Sequence, residues 1–441
     1  MDYTQSIEYL FGLQRMGARP GTATMASLMA RLGDAQDSFP SVLVAGTNGK
    51  GSTAAFLTSI LREAGLRVGL TTSPHLVRFE ERILVDGTEI PPEEVARLAT
   101  LLQETSEQMA ARGGDEERPT FFESATAMAF CHFREKEVDL AVVEVGMGGR
   151  LDATGILDAI TCLFTPIDLD HRQYLGEKVE DIASEKAGIL RAGSRALTAP
   201  QLPEVMQTLQ RSAAAQGATL FEAEQTWRPL EGPGGAFCLV AGHDPSRRMD
   251  GLTLSLAGRH QWTNAALAAA AATMLPGFHE RITEEAIRKG LASTRWPGRC
   301  EVVSERPTVL LDGAHNPAAA RVLRSFLLEN YTSKGRNVVM IFGAMQDKDL
   351  AGIMEPLFSC ASRIILTRAE TPRAADPVVL ASLAGRYHAS VLRAPSLSAA
   401  LSAAHAEAGP DDVICVTGSL YLVGDVKSLL EGLEPRLRQA L

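Results

Sequence analysis

From about residue 40 onward, short apolar runs alternate with stretches whose apolar residues recur every three or four positions. The runs "SVLVAG" (41–46), "RVGLTTSPH" (67–75), "VDLAVVEVG" (138–146) and "AITCLFTPID" (159–168) predict buried strands, and "STAAFLTSILREAG" (52–65) predicts a helix closed by glycine. Strands alternating with helices imply β-α-β units and a parallel sheet. Residues 218–258 break the rhythm: scattered Gly and Pro with short apolar alternations predict a few small strands, followed by an alanine-rich helix over 264–275. The segment "STRWPGRCEVVSERP" (293–307) mixes Pro, Gly and charge between periodic stretches, which marks a domain boundary. Beyond it the alternation restarts in "TVLLDGAHN", "NVVMIFGAM", "SRIILTRAE" and "DVICVTGSL". The expected fold is therefore α/β: a phosphate-loop nucleotide-binding domain on a parallel sheet over residues 1–295, and a smaller, doubly wound α/β domain over 300–441.

A chain of 441 residues exceeds what one core usually supports, in keeping with two domains. A formal net charge of -10 argues against nucleic acid as the main partner, because phosphate backbones are gripped by surplus Lys and Arg. Small molecules fit better. The start, "MDYTQSIEYLFGLQRMG", lacks the basic opening and apolar block of a secretion signal, and no run approaches the ~20 apolar residues that cross a bilayer. A cytoplasmic location without membrane attachment is expected. Six scattered cysteines without a C-x-x-C pair read as buried free thiols.

Candidate chemistry begins at "GTNGKGST", Gly46–Thr47–Asn48–Gly49–Lys50–Gly51–Ser52–Thr53, between a predicted strand and a predicted helix. It is shorter than the usual phosphate loop, with two residues instead of four ahead of Gly-Lys and a glycine before the hydroxyl. Glycines let backbone amides approach phosphate oxygens, and amides at a helix start add positive character. Lys50 can reach the β- and γ-phosphates, and Ser52 or Thr53 can meet Mg²⁺, so ATP or GTP is the expected ligand. Glu144 ends a strand where open α/β sheets hold ligands, placing an acid for the metal. His171, after the next strand, could offer an imidazole; on its own it reads as a hydrogen-bonded loop histidine.

Nine segments in order, "GTNGKGST", "TTSPHLVRFEERI", "FFESATAMAF", "VEVGMGGRLDAT", "DLDHRQYLG", "IASEKAGIL", "WPGRCE", "LDGAHNP" and "VTGSLYLVGD", span nearly the whole chain. Together they resemble the folylpolyglutamate synthase and bifunctional dihydrofolate synthase family of the Mur ligase superfamily, whose phosphate loop has this shortened form. The resemblance implies an ATP-dependent ligase that joins L-glutamate to a reduced folate or dihydropteroate through an acyl phosphate. It also implies one or two Mg²⁺ ions, and a monomer.

By the same resemblance, Ser52, Ser73, Glu144 and His171 are metal ligands, and Lys186 of "SEKAGI" joins them as a carbamylated, anionic group able to hold a second cation. Without the resemblance, Lys186 reads as a helix-surface charge. Asn264 corresponds to the adenine side, Arg299 to the phosphates and Asp312 to the ribose. His315 and Ser419 fall on the glutamate side, and Phe122 and Asp152 are further substrate residues. Lys50, Lys186 and His315 are the expected catalytic groups. Closure about 293–307 would shield the acyl phosphate from water. Gly155 and Lys178 depart from the family pattern, where Asn and Thr are usual; Gly155 bears on the pterin-side loop. A cell-wall ligase acting on a nucleotide sugar, a nucleotide switch and a small-molecule kinase are the competing readings. The "SPHL" and "FFESAT" segments and a second domain carrying "LDGAHNP" weigh against them.

Overall fold

The computed structural model describes residues 1–17, 19–232 and 235–432. By contacts the chain forms two compact units, one from Met1–His75, Phe79–Ser255 and Gln261–Arg295, the other from Leu76–Arg78, Leu256–His260 and the chain from Trp296 onward. The last nine residues of the expected second domain, 433–441, lie outside the described residues.

The first unit carries strands β1 (Ser41–Ala45), β2 (Val68–Thr71), β3 (Ile83–Val85), β4 (Thr88–Glu89), β5 (Leu140–Glu144), β6 (Thr161–Phe164), β7 (Arg195–Thr198) and β8 (Thr219–Glu222). They form one sheet in the order β4-β3-β2-β5-β1-β6-β7-β8. Its body is parallel, with β1 between β5 and β6, and Val44 lies opposite Glu144. Every residue of β1 and β5 is buried, which is why these strands read as unbroken apolar runs: helices cover both faces. At one edge β3 runs antiparallel to both β2 and β4.

A second, antiparallel sheet comprises β9 (Arg228–Glu231), β10 (Phe237–Ala241) and β11 (Asp244–Leu252), in the stretch read as small strands. The alanine-rich helix, His260–Met274, begins four residues earlier than its apolar run and buries ten residues. The phosphate-loop helix, Lys50–Glu63, packs on the helix Glu284–Ser293. Gly290 allows that approach, since a Cβ there would lie 2.5 Å from the Ile60 backbone.

The second unit has a six-stranded sheet of β12 (Glu301–Glu305), β13 (Thr308–Leu311), β14 (Val338–Phe342), β15 (Arg363–Leu366), β16 (Val391–Arg393) and β17 (Val413–Thr417) in the order β12-β13-β17-β14-β15-β16. All neighbours are parallel except β12 and β13. Strand β12 occupies part of the stretch that composition reads as linker. It is an edge strand with mostly exposed residues, so it gives no apolar run. Apolar side chains cover both sheet faces, among them Phe342 and Phe358 on one and Ile341 and Val423 on the other.

All six cysteines are buried and free, three in each unit. Burial pushes the thiols of Cys131 and Cys360 up to about 11 and that of Cys162 to about 12. No helix among the described residues is long and apolar enough to cross a membrane.

Candidate active site

The parallel strands β1, β2, β5 and β6 end on the same side of the sheet, and the segments that follow them supply most of the first unit's candidate residues. After β1, Gly46 has φ +145° and Gly49 φ +90°, conformations that side chains disfavour. Neither glycine has room for a side chain. A Cβ would sit 1.9 Å from Thr165 Oγ1 at Gly46, and 2.4 Å from Asn264 Oδ1 at Gly49.

The loop is held to the segment after β6. The amides of Thr47 and Asn48 donate to Pro166 O at 3.0 and 3.2 Å, and Thr47 Oγ1 donates to Asp168 O at 2.9 Å. Gly49 then caps the helix without any side-chain bond. Ser52 Oγ accepts from Gln261 Nε2 at 3.4 Å, and Asn264 Nδ2 donates to Gln261 Oε1 at 2.9 Å. The fully buried Thr53 Oγ1 has no hydrogen-bond partner among the described residues.

Lys50 Nζ lies 4.0 Å from Glu144 Oε1 and donates to Thr47 O at 3.3 Å. Glu144 is buried at the end of β5, and its Oε2 accepts from the Ser73 amide at 3.2 Å. Ser73 precedes a cis peptide to Pro74. Lys50, Glu144 and Ser73 thus come together although they lie at the ends of three different strands, β1, β5 and β2.

Lys186 is not a helix-surface charge. It is 5% exposed, and its Nζ donates to Gly46 O at 2.8 Å. Burial lowers its pKa to about 7, assisted by the charge of Lys50 and opposed by Asp170 and Asp152.

His171 heads a short helix with φ +51°; its amide donates to Asp170 Oδ1 at 2.8 Å, and its Nε2 lies 3.9 Å from Asp170 Oδ2. Asp152 shapes the glycine-rich loop after β5: Oδ2 accepts from the Met147 amide at 2.8 Å, and Oδ1 from the amide and hydroxyl of Thr154 at 3.0 and 2.6 Å. Burial raises its pKa despite these bonds. Phe122 lies against Gly146, where a Cβ would come 2.5 Å from Cζ of the ring. Gly155 lies in the turn Ala153–Ile156, where a Cβ would be 3.0 Å from Gly149 O.

In the second unit, Arg299 Nη1 donates to Gly298 O at 3.1 Å. Both carboxylate oxygens of Asp312 accept backbone amides, Oδ2 from Cys300 and Oδ1 from Ala314, each at 2.9 Å. His315 Nδ1 lies 2.8 Å from Gly313 O, and the buried Ser419 caps the helix Leu420–Leu430 by accepting from the Tyr421 amide. His260, buried, has its pKa lowered by desolvation, against the pull of Asp312.

Comparison with known proteins matches residues 44–272 to the Mur ligase middle domain and 298–420 to the Mur ligase glutamate ligase domain. A Bacillus subtilis protein named dihydrofolate synthase/folylpolyglutamate synthase is 34% identical over 438 residues, covering 97% of this chain and 99% of its own. The chain belongs to the Mur ligases, in their folylpolyglutamate synthase/dihydrofolate synthase family. The structure of E. coli FolC in complex with DHPP and ADP matches this Mur ligase with a TM-score of 0.86 and 35% identity, over 98% of each chain. The bifunctional synthase from Yersinia pestis complexed with AMPPNP and Mn matches at 0.83 and 32%, again over 98% of each. The chain spans about half the length of its relatives from Haloferax volcanii and Halobacterium salinarum, each named a probable bifunctional folylpolyglutamate synthase/dihydropteroate synthase.

Sequence reasoning passed over Gln261, Thr165 and Asp170 in this Mur ligase. Gln261 was open to detection: it stands three residues before Asn264, on the same helix face. Thr165 was not, because only the folded chain shows that its hydroxyl lies against Gly46.

Proposed function

We propose that this Mur ligase activates the carboxylate of a reduced folate or dihydropteroate with ATP and joins it to the α-amine of L-glutamate. The observation that carries the reading is the glycine loop pinned against Thr165 and Asn264, with Lys50 and Glu144 facing each other where three strands end. A carboxylate is a poor acyl donor because attack must expel oxide. Transfer of the γ-phosphoryl group to its oxygen gives an acyl phosphate; the amine attacks the carbonyl carbon, and phosphate leaves with the former carboxylate oxygen.

Lys50 would neutralise charge on the phosphoryl group, and the uncapped helix start would receive phosphate oxygens. The orphaned Thr53 hydroxyl marks the same loop as built for a polar ligand. Among the described residues no three His, Cys, Asp or Glu side chains gather as a metal cage. An oxygen set of Ser52, Ser73 and Glu144 completed by nucleotide phosphate and water suits Mg²⁺, which is commonly held in this way. When bound, Mg²⁺ supplies further charge neutralisation on the phosphates. Lys186, as a carbamate, would contribute an anion beside Gly46. We assign nucleotide binding to residues 1–295, with Asn264 on the adenine side, and the glutamate side to residues 300–441 through His315 and Ser419. Arg299 would meet the phosphates and Asp312 the ribose. Phe122 and Asp152 border the loop that would receive the other substrate.

The test is incubation with ATP, Mg²⁺ and glutamate, offering dihydropteroate or tetrahydrofolate separately, with products identified by mass. One added glutamate on each is expected, since both reactions would use one ATP site. Product from tetrahydrofolate alone would make the enzyme monofunctional, and ADP release independent of glutamate would exclude a ligase.

Glu144→Ala and His171→Ala are expected to raise the Mg²⁺ concentration giving half-maximal turnover by about tenfold, leaving the KM for folate little changed. Unchanged Mg²⁺ titrations in both variants would return these residues to structural roles.

A further inference from the structure

Glu301 opens β12 two residues after Arg299, and its carboxylate is engaged on both sides. Oε2 accepts from the Gly298 amide at 2.8 Å, and Oε1 accepts from Lys427 Nζ at 2.6 Å. Lys427 belongs to the helix Leu420–Leu430, the one capped by Ser419. The other side of Gly298 is also held, because its carbonyl accepts from the Gly313 amide at 3.0 Å and from Arg299 Nη1 at 3.1 Å.

Gly298 has φ +74°, and a glycine is the residue least able to hold one conformation unaided. Fixing both its N–H and its C=O fixes φ and ψ, and hence the direction in which the chain leaves toward Arg299. The guanidinium lies beside Gly313 in space that the glycine leaves open, since a Cβ there would lie 2.7 Å from Arg299 Nη1, and its bond to Gly298 O ties it to the same braced peptide. A continuous path therefore runs from Lys427 through Glu301 and Gly298 to Arg299. The bonds to the carboxylate are charge-assisted, the stronger kind.

We propose that Glu301, braced by Lys427, is a positioning residue that holds Arg299 in the orientation needed for phosphoryl transfer. This rests on the reading of Arg299 as a phosphate ligand, and the test separates the two. Glu301→Ala, Glu301→Gln, Arg299→Ala and the double variant Arg299→Ala/Glu301→Ala are compared with the wild-type chain. The readouts are glutamate-dependent ADP release, with whichever of tetrahydrofolate and dihydropteroate the wild type turns over, and calorimetric binding of AMPPNP with Mg²⁺.

Glu301→Ala is expected to lower kcat by ~10- to 100-fold, the size of a misplacement effect, with the KM for glutamate within about threefold. Glu301→Gln, whose amide oxygen still accepts from Gly298, should keep kcat within about fivefold of wild type. In the Arg299→Ala background Glu301→Ala should add little to the loss of either kcat or AMPPNP affinity, as two residues acting through one group do. Wild-type kcat in Glu301→Ala, or its full single-variant factor multiplying the Arg299→Ala loss, would overturn the proposal. Wild-type turnover and binding in Arg299→Ala would instead overturn the reading of Arg299. If no ligation is seen with either substrate, the calorimetric cycle still decides the coupling. Should Glu301→Ala not fold, Glu301→Asp, which keeps the charge but withdraws it by one methylene, carries the same cycle.

Discussion

Lys50→Ala should abolish glutamate-dependent ADP release, with kcat down by at least ~10²- to 10³-fold, while the chain folds as before. A cation on the transferring phosphoryl group is worth that much where water is excluded. Little in the fold depends on the amine: it has one long bond to Thr47 O and a 4.0 Å approach to Glu144, whose other oxygen keeps the Ser73 amide. Thermal unfolding is expected within a few degrees of wild type, because the approach to Glu144 is long and Glu144 Oε2 keeps the Ser73 amide. Turnover at the wild-type rate would remove the phosphate-loop assignment.

Lys186→Ala carries the second large effect. Carbamate formation needs a neutral amine, whose lone pair adds to the carbon of CO₂ while the nitrogen releases a proton. Burial supplies that amine by lowering the pKa to about 7. The alanine variant should lose on the order of 10² of kcat or more, and acetate should restore part of it by occupying the vacated anion site. Because Nζ also bonds Gly46 O, AMPPNP affinity should weaken by about fivefold, the worth of one hydrogen bond. Near-normal ligation without added acid would end the carbamate role. The sign of the pH effect follows from the same burial. Between about pH 7 and the ordinary lysine value, the unfolded chain holds a proton that the folded, unmodified chain has lost, so the fold gains stability as pH rises through that window.

The two Lys186 observations show where sequence reading stopped. The strands β1, β5, β6, β13, β14 and β17 were legible because each is buried on both faces and so writes a continuous apolar run. Strands β12 and β16 were not, because they lie at sheet edges and mix exposed residues with partly buried ones. The phosphate loop was legible through glycine spacing and its place between strand and helix. The burial of Lys186 was not, because a single lysine on a nine-residue helix carries no sign of lying against a loop 140 residues earlier. The two amides on Asp312 are likewise a product of tertiary structure, since one comes from Cys300 on the neighbouring strand's approach.

The distribution of the cysteines gives the chain an internal reporter of its own opening. An exposed thiolate attacks an alkylating reagent, and all six sulfurs are enclosed, with Cys131, Cys162 and Cys238 in one unit and Cys300, Cys360 and Cys415 in the other. Modification of the native protein must therefore wait for a local or global excursion that uncovers each site. Peptide mapping after timed alkylation would yield six separate clocks without introducing any label. If the two sets of three advance at different rates, the units open independently; if nucleotide slows only the first set, its protective reach stops within that unit.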